Sequence, residues 1–169
     1  MGLFDNLFKK KETETNTLNV ADSDIVAVTD GEMIDITTVN DELFSQKLMG
    51  DGVAFKLNGD KVTLYSPVNG TLSVLFPTGH AFGVTMNDGV EILVHCGINT
   101  VESNGEGFKL LKKKQGDSVK AGDAIVEVDV KKLSQKYDMS TMVIITNANG
   151  KTITFKEPGS FKMGESIIK

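Results

Sequence analysis

A single cysteine, Cys96, excludes an internal disulfide framework. No apolar run approaches the roughly 18 residues of a membrane span, and no secretory h-region is present. These absences predict a soluble cytoplasmic protein. Positive charge is also short: a formal net charge of −5 provides no basic footprint for nucleic acid. Lysines gather only locally, at positions 9–11, 112–114 and 131–132, and read as solvated faces. There is no G-x-S-x-G elbow and no P-loop lysine motif, and GEGF at 105–108 is too short to bind a nucleotide. The remaining composition is ordinary. With 40% hydrophobic and 24% charged residues, the 169-residue chain suits one globular domain. Such a domain buries about two-thirds of its unfolded surface.

Residues 1–8 read MGLFDNLF, which puts Leu3, Phe4, Leu7 and Phe8 on one side of a helical turn or two. Two readings stay open. One is a short amphipathic segment giving residues 1–11 a weak contact with a membrane surface or partner; the other is a frayed terminus. Gly2 is present, but Asn6 stands where an N-myristoylation signal needs Ser or Thr. The expected division is a flexible, partly amphipathic tail over 1–20 and a domain over 21–169.

Beyond the tail, short β-rich runs alternate with turns such as Asp30-Gly31, Asn58-Gly59, Asp88-Gly89 and Asn149-Gly150. Strands are expected at 25–28, 32–35, 53–57, 61–65, 70–75, 81–86, 90–95, 124–129, 143–146 and 153–155. Only 41–47 and 130–137 read as helical. This spacing predicts an all-β protein, an antiparallel β-sandwich or barrel with a few short helices. Two internal echoes add symmetry. SVKAGDAI (118–125) recurs as SFKMGESI (160–167), and AVTDGEMI (27–34) recurs more loosely as SPVNGTLS (66–73). Two similar β units facing each other, rather than a solenoid, fit two copies.

The two histidines, His80 and His95, lie in HAFGVTMNDGVEILVHCG (80–97), which reads as strand, turn, strand. If Asp88-Gly89 forms a two-residue turn, Asn87 pairs with Val90 and His95 faces Phe82. The histidines then become diagonal neighbours about 7–8 Å apart on one face, together with Phe82, Val84, Met86 and Leu93. A four-residue loop would set them directly opposite. A three-residue loop would put them on opposite faces unless a bulge intervened. Cys96, next in the strand, points away from His95, which argues against a Cys-His dyad and for a core thiol. A neutral imidazole is a competent nucleophile for phosphorus, and a second one nearby can share the developing charge. The carbonyl of Gly97 is a candidate holder of the His95 ring.

The segments GDGVAF (50–55), SPVNGTL (66–72), PTGHAF (77–82), GVEILVHCGINTVESNGEGF (89–108) and SVKAGD (118–123) resemble the glucose-class IIA family of the bacterial sugar phosphotransferase system, as does MGLFD (1–5). The resemblance covers nearly the whole chain. It implies a β-sandwich, acting as a monomer, with both histidines in a shallow depression. It implies that His95 is phosphorylated at Nε2, that His80 supports onward transfer, and that the Thr78 hydroxyl orients the pair. The donor would be phosphorylated HPr, and the acceptor a cysteine on a IIB domain of a sugar permease. No cofactor is required, although the histidine pair could take up zinc. Phe44, Leu48, Met49, Phe76 and Leu93 match an apolar ring that meets both partners, and Asp41 and Glu102 match its acidic rim. Two departures stand out. Cys96 replaces a Phe of enteric relatives, and Asn99 replaces an aspartate that meets partner arginines, which weakens electrostatic steering.

Two other chemistries fit parts of the sequence. A zinc hydrolase on a similar sandwich needs three protein ligands and an open position, but neither histidine lies in H-x-H or H-E-x-x-H spacing. A biotinyl- or lipoyl-type carrier is suggested by SVKAGD and SFKMGE. Lys120 and Lys162, however, lack the tight carrier motif and read as solvated.

Overall fold

Period-two alternation of apolar residues sets the strands, as in Ile92, Val94 and Cys96, which are all buried while Glu91 is exposed. The computed structural model describes Asn16 and residues 18–169. The expected membrane contact of residues 1–11 lies outside the described residues, as does most of the expected tail. Asn16, on the tail side of the expected boundary, is tied to the body. Its Nδ2 donates to Ala121 O at 2.8 Å and to Asp123 Oδ1 at 2.9 Å.

The strands are β1 (Gly31–Asp35), β2 (Gly52–Leu57), β3 (Lys61–Tyr65), β4 (Gly70–Leu75), β5 (Ala81–Met86), β6 (Glu91–Cys96), β7 (Phe108–Leu110), β8 (Ser118–Val119), β9 (Ala124–Asp129), β10 (Thr141–Asn147) and β11 (Gly159–Phe161). One-turn helices α1 (Glu42–Ser45) and α2 (Val130–Leu133) interrupt them, with 3₁₀ turns at Ile36–Thr38 and Thr100–Ser103. An eight-stranded antiparallel sheet runs β11-β1-β2-β10-β6-β5-β4-β8, and a second sheet runs β3-β9-β7. The main core joins Phe55, Phe82, Val84, Ile92, Val94 and Cys96 of the first sheet to Leu64, Val126 and Val128 of the second. A smaller core on the other face of the large sheet packs Ile36, Val39 and Phe44 over Ala54, Met142 and Ile144.

The sequence echoes mark a real duplication. The order of the large sheet reads the same from either end if β11 is matched with β8, β1 with β4, β2 with β5 and β10 with β6. Gly31 pairs with Phe161 and Leu57, as Gly70 pairs with Val119 and Met86. The looser echo binds the tighter one in each half. Gly164 N–H donates to Ala27 O at 3.1 Å, and Gly122 N–H donates to Ser66 O at 2.9 Å.

Several expected elements change. Residues 25–28 are buried but contribute only the bridge Val26↔Ser166. Their amides serve separate loops, with Val26 N–H donating to Pro67 O and Ala27 N–H to Glu165 O, both at 2.8 Å. Residues 153–155 contribute only the bridge Phe155↔Ile168. The expected helix 41–47 shrinks to α1 because Lys47 takes a left-handed φ of 57°, and 130–137 shrinks to α2. The unpredicted β7, β8 and β11 are short strands with exposed positions, so they carry little hydrophobic pattern.

Candidate functional site

His95 lies on β6 and faces away from the main core, next to Met142 on β10 and Ala81 on β5. The expected two-residue turn at Asp88-Gly89 does not form. Asn87, Asp88 and Gly89 make a three-residue loop, with Met86 N–H donating to Val90 O at 2.8 Å and Gly89 at φ 89°. Pairing therefore shifts by one: His95 opposes Ala81, and Phe82 opposes Val94. Phe82, Val84 and Met86 thus point into the main core, not onto the histidine face. Leu93 does share the face of His95.

The histidines meet nonetheless, because His80 precedes β5 and escapes its alternation. Gly79, at φ 78°, turns the chain there. A Cβ at Gly79 would lie 2.8 Å from Phe108 Cβ, so glycine fits both the turn and the close approach. The His80 carbonyl accepts from Cys96 N–H at 2.7 Å, which anchors the turn to the end of β6. The two imidazole centroids are 5.3 Å apart at 79°.

Each ring has its own holder. His95 Nδ1 donates to Gly97 O at 2.9 Å, which keeps the proton on Nδ1 and the lone pair on Nε2. His80 Nδ1 lies 2.7 Å from Thr78 Oγ1. Two phenyl rings flank the pair, Phe44 at 5.1 Å from His95 and Phe76 at 5.0 Å from His80. His80 is 4% exposed, and burial lowers its pKa. His95 is lowered to about 4, first by burial and then by the charge of His80; the Gly97 carbonyl and Asp41 oppose the shift. Both rings are therefore neutral near pH 7. Burial pushes the Cys96 thiol up to about 12, so it supplies no thiolate. Among the described residues, no group of three or more His, Cys, Asp and Glu side chains could hold a metal ion.

A family model described as phosphoenolpyruvate-dependent sugar phosphotransferase system, EIIA 1, matches residues 23–151. The chain belongs to this EIIA family. The glucose-specific EIIA component of Haemophilus influenzae is 39% identical over 169 residues, covering 99% of this EIIA chain and 97% of that protein. The glucose-specific EIICBA component of Staphylococcus carnosus is 36% identical over 159 residues, covering 93% of this chain but 23% of that protein. The solved glucose permease IIA of Mycoplasma capricolum superposes with a TM-score of 0.81 at 37% identity, covering 86% of this chain and 93% of that one. As an EIIA component the chain is a phosphocarrier in sugar uptake. Nothing in these relationships supports a zinc hydrolase.

The other expected site residues of this EIIA chain surround the pair unequally. Phe44 is 3% exposed, so its ring serves His95 and leaves little face for a partner. Leu48 and Phe76 are 67% and 41% exposed. Met49 and Leu93 are half-buried, and Met49 packs on the smaller core. Asp41 caps α1, its carboxylate accepting from Leu43 N–H at 2.9 Å. Asn99 is exposed in a left-handed conformation at φ 60°, and Glu102 is exposed in the following 3₁₀ turn. Sequence reasoning missed the direct contact of the Phe44 ring with His95, the two planes tilted by 51°. The short α1 carries too few turns to announce which face it buries.

Proposed function

We propose that His95 carries the phosphoryl group on Nε2, and that His80, oriented by Thr78, assists its departure. The hydrogen bond from His95 Nδ1 to Gly97 O carries this reading, because it leaves Nε2 unprotonated and nucleophilic. The donor is phosphorylated HPr. The Nε2 lone pair attacks phosphorus, the new N–P bond forms, and the bond to the donor breaks with its electron pair leaving on the donor. In the second transfer a thiolate of a IIB domain attacks the same phosphorus, and Nε2 recovers its lone pair. A relative named as an EIICBA component supports IIB as acceptor, and relatives named glucose-specific support a glucose-class permease.

If the Thr78 hydroxyl donates to His80 Nδ1, the His80 proton sits on Nε2 and can be offered to phosphoryl oxygens on the neighbouring ring. Two neutral imidazoles favour this arrangement, since neither repels an incoming cationic partner. Leu48, Met49, Phe76 and Leu93 form the apolar docking ring, with Asp41 at its rim and Asn99 as an uncharged contact. The relay requires no cofactor, since phosphorus and nucleophile both come from proteins; zinc on His80 and His95 would compete for the reactive nitrogens. The site of action is the cytoplasm, at the inner face of the permease; no helix among the described residues is long and apolar enough to cross a membrane.

The test is incubation with phosphorylated HPr followed by intact-mass analysis. Wild type should gain one acid-labile phosphate, His95→Gln none, and His80→Gln should accept phosphate but pass it poorly to a IIB domain. No uptake by wild type, or full uptake by His95→Gln, contradicts the reading. Full-rate onward transfer by His80→Gln removes the supporting role.

A further inference from the structure

The carbonyl that fixes the His95 tautomer sits on a chain reversal held by four contacts. Gly97 has a φ of 83°, and the two peptide groups that meet at it are each held twice. In the Gly97–Ile98 peptide the carbonyl accepts from His95 Nδ1 at 2.9 Å, and Ile98 N–H donates to Asp138 O at 2.8 Å. In the preceding peptide Gly97 N–H donates to Ser140 O at 2.9 Å. The last contact comes from Thr100, whose Oγ1–H donates to Cys96 O at 2.5 Å. Thr100 thus supplies from its side chain what Ser140 and Asp138 supply from their backbones.

Thr100 is 0% exposed, and its methyl packs where a Cβ on Gly97 would lie, 2.4 Å from Thr100 Cγ2. Two distinct features of one side chain therefore act on one peptide. The hydroxyl sets the tilt of the Cys96 carbonyl, and the methyl closes the space beside Gly97. The plane of the Cys96–Gly97 peptide, with the φ and ψ of Gly97, sets where the Gly97 carbonyl points.

We propose that Thr100 is a positioning residue for phosphoryl transfer, fixing the Gly97 carbonyl and through it the proton-on-Nδ1 tautomer of His95. This rests on the reading of His95 as the carrier. Without the hydroxyl, the carbonyl has a wider range of directions. The ring then also samples the tautomer with its proton on Nε2, in which the attacking nitrogen has no lone pair to offer.

Thr100→Val keeps the shape and removes the donor, whereas Thr100→Ser keeps the donor and removes the methyl. Ring ¹⁵N resonances of His95 in the unphosphorylated protein report the tautomer, and uptake from phosphorylated HPr reports the rate. Thr100→Val should move the Nδ1 and Nε2 resonances toward each other and slow uptake about tenfold, the scale of one lost hydrogen bond. Thr100→Ser should keep the wild-type pattern and stay within about twofold in rate. If Thr100→Val does not fold, Thr100→Cys offers a weaker donor at the same place and should fall between the two. Wild-type resonances and rate in Thr100→Val, or in Thr100→Cys where that replaces it, overturn the proposal; so does a Thr100→Ser as slow as Thr100→Val. A wild-type protein that takes up no phosphate would instead defeat the carrier reading, while the resonances would still judge the role of Thr100.

Discussion

On the outer face of the large sheet, the row Ala54, Met142, His95, Ala81 lies beside the row Gly83, Leu93, Ile144, Gly52. The duplication exchanges the two rows, so Ile144 occupies the place of His95 in the other half, and Asp51 the place of His80. The backbone repeats as well. Cys96 N–H donates to His80 O at 2.7 Å, and Ile145 N–H donates to Asp51 O at 2.8 Å. What differs is the side chains and the cover. Ile144 lies under Ile36, Val39 and Phe44 at 0% exposed, and Asp51 pairs with Lys47 at 3.1 Å on the surface. His95 is reached from that cover mainly by Phe44 and stays partly open. The fold thus builds two equivalent frames, and the proposed chemistry falls in the one whose outer positions carry imidazoles and leave His95 partly open.

The largest effects should come from exchanging the character of the two positions. His95→Ile should abolish phosphate uptake while leaving the melting temperature unchanged or raised, since it removes a polar ring from an apolar setting. Ile144→Ala should do the reverse. It should cost about 2–5 kcal/mol of stability in denaturant titrations, with uptake per folded molecule within about twofold of wild type. A joint loss of activity in both variants would erase the distinction between the halves.

Glycine substitutions should sharpen the comparison next. Gly97→Ala must hold a positive φ and place a Cβ against Thr100, so we expect about 1–3 kcal/mol of strain and roughly a hundredfold slower uptake through a displaced carbonyl. Gly52→Ala would put a Cβ 2.2 Å from Val143 O. It should destabilise the protein with no separate loss of rate once folded protein is counted. Calorimetry with a transfer assay on each variant separates the two outcomes.

Thr78→Val should leave uptake within about twofold and slow onward transfer about tenfold, because it removes the hydroxyl on His80 Nδ1. With the His95 pKa lowered to about 4, its ring resonances should stay those of a neutral imidazole as pH falls through 6 and 5. The sign for stability follows from linkage. Unfolded histidine takes up its proton near its ordinary pKa of about 6.5, and the folded ring only near 4. The stability held by the neutral ring is therefore present above about 6.5 and is lost progressively as pH drops toward 4. The smallest effect belongs to Leu48→Ala. Its stability change should stay within about 0.5 kcal/mol, and a weakened docking of phosphorylated HPr, read by the Michaelis constant, should be its only mark.

Much of this frame was legible in the residues. The strands at 61–65, 70–75, 81–86 and 124–129 match β3, β4, β5 and β9 in both bounds, because turn residues such as Asn58-Gly59, Asn69-Gly70, Asn87 and Gly122-Asp123 bound these apolar runs. The echo at 118–125 and 160–167 marks the duplication, and the Gly97 carbonyl, a candidate holder in the sequence, does hold His95. The hairpin register was not legible. Asp88-Gly89 suits a two-residue turn, but Gly89 instead takes the left-handed place that closes a three-residue loop. That shift moved Phe82, Val84 and Met86 into the core. The histidines converge only because the turn at Gly79 frees His80 from the strand, which alternation could not reveal. The contact of Phe44 with His95 likewise depends on long-range packing of a one-turn helix.

The central claim, that the Gly97 carbonyl leaves His95 Nε2 as the phosphorylated atom, is most directly tested by ¹⁵N–³¹P coupling in protein labelled at its histidine rings and phosphorylated by HPr. A single phosphorus resonance coupled to Nε2 of His95 is expected. A phosphate on Nδ1 of His95, or on His80, would contradict it.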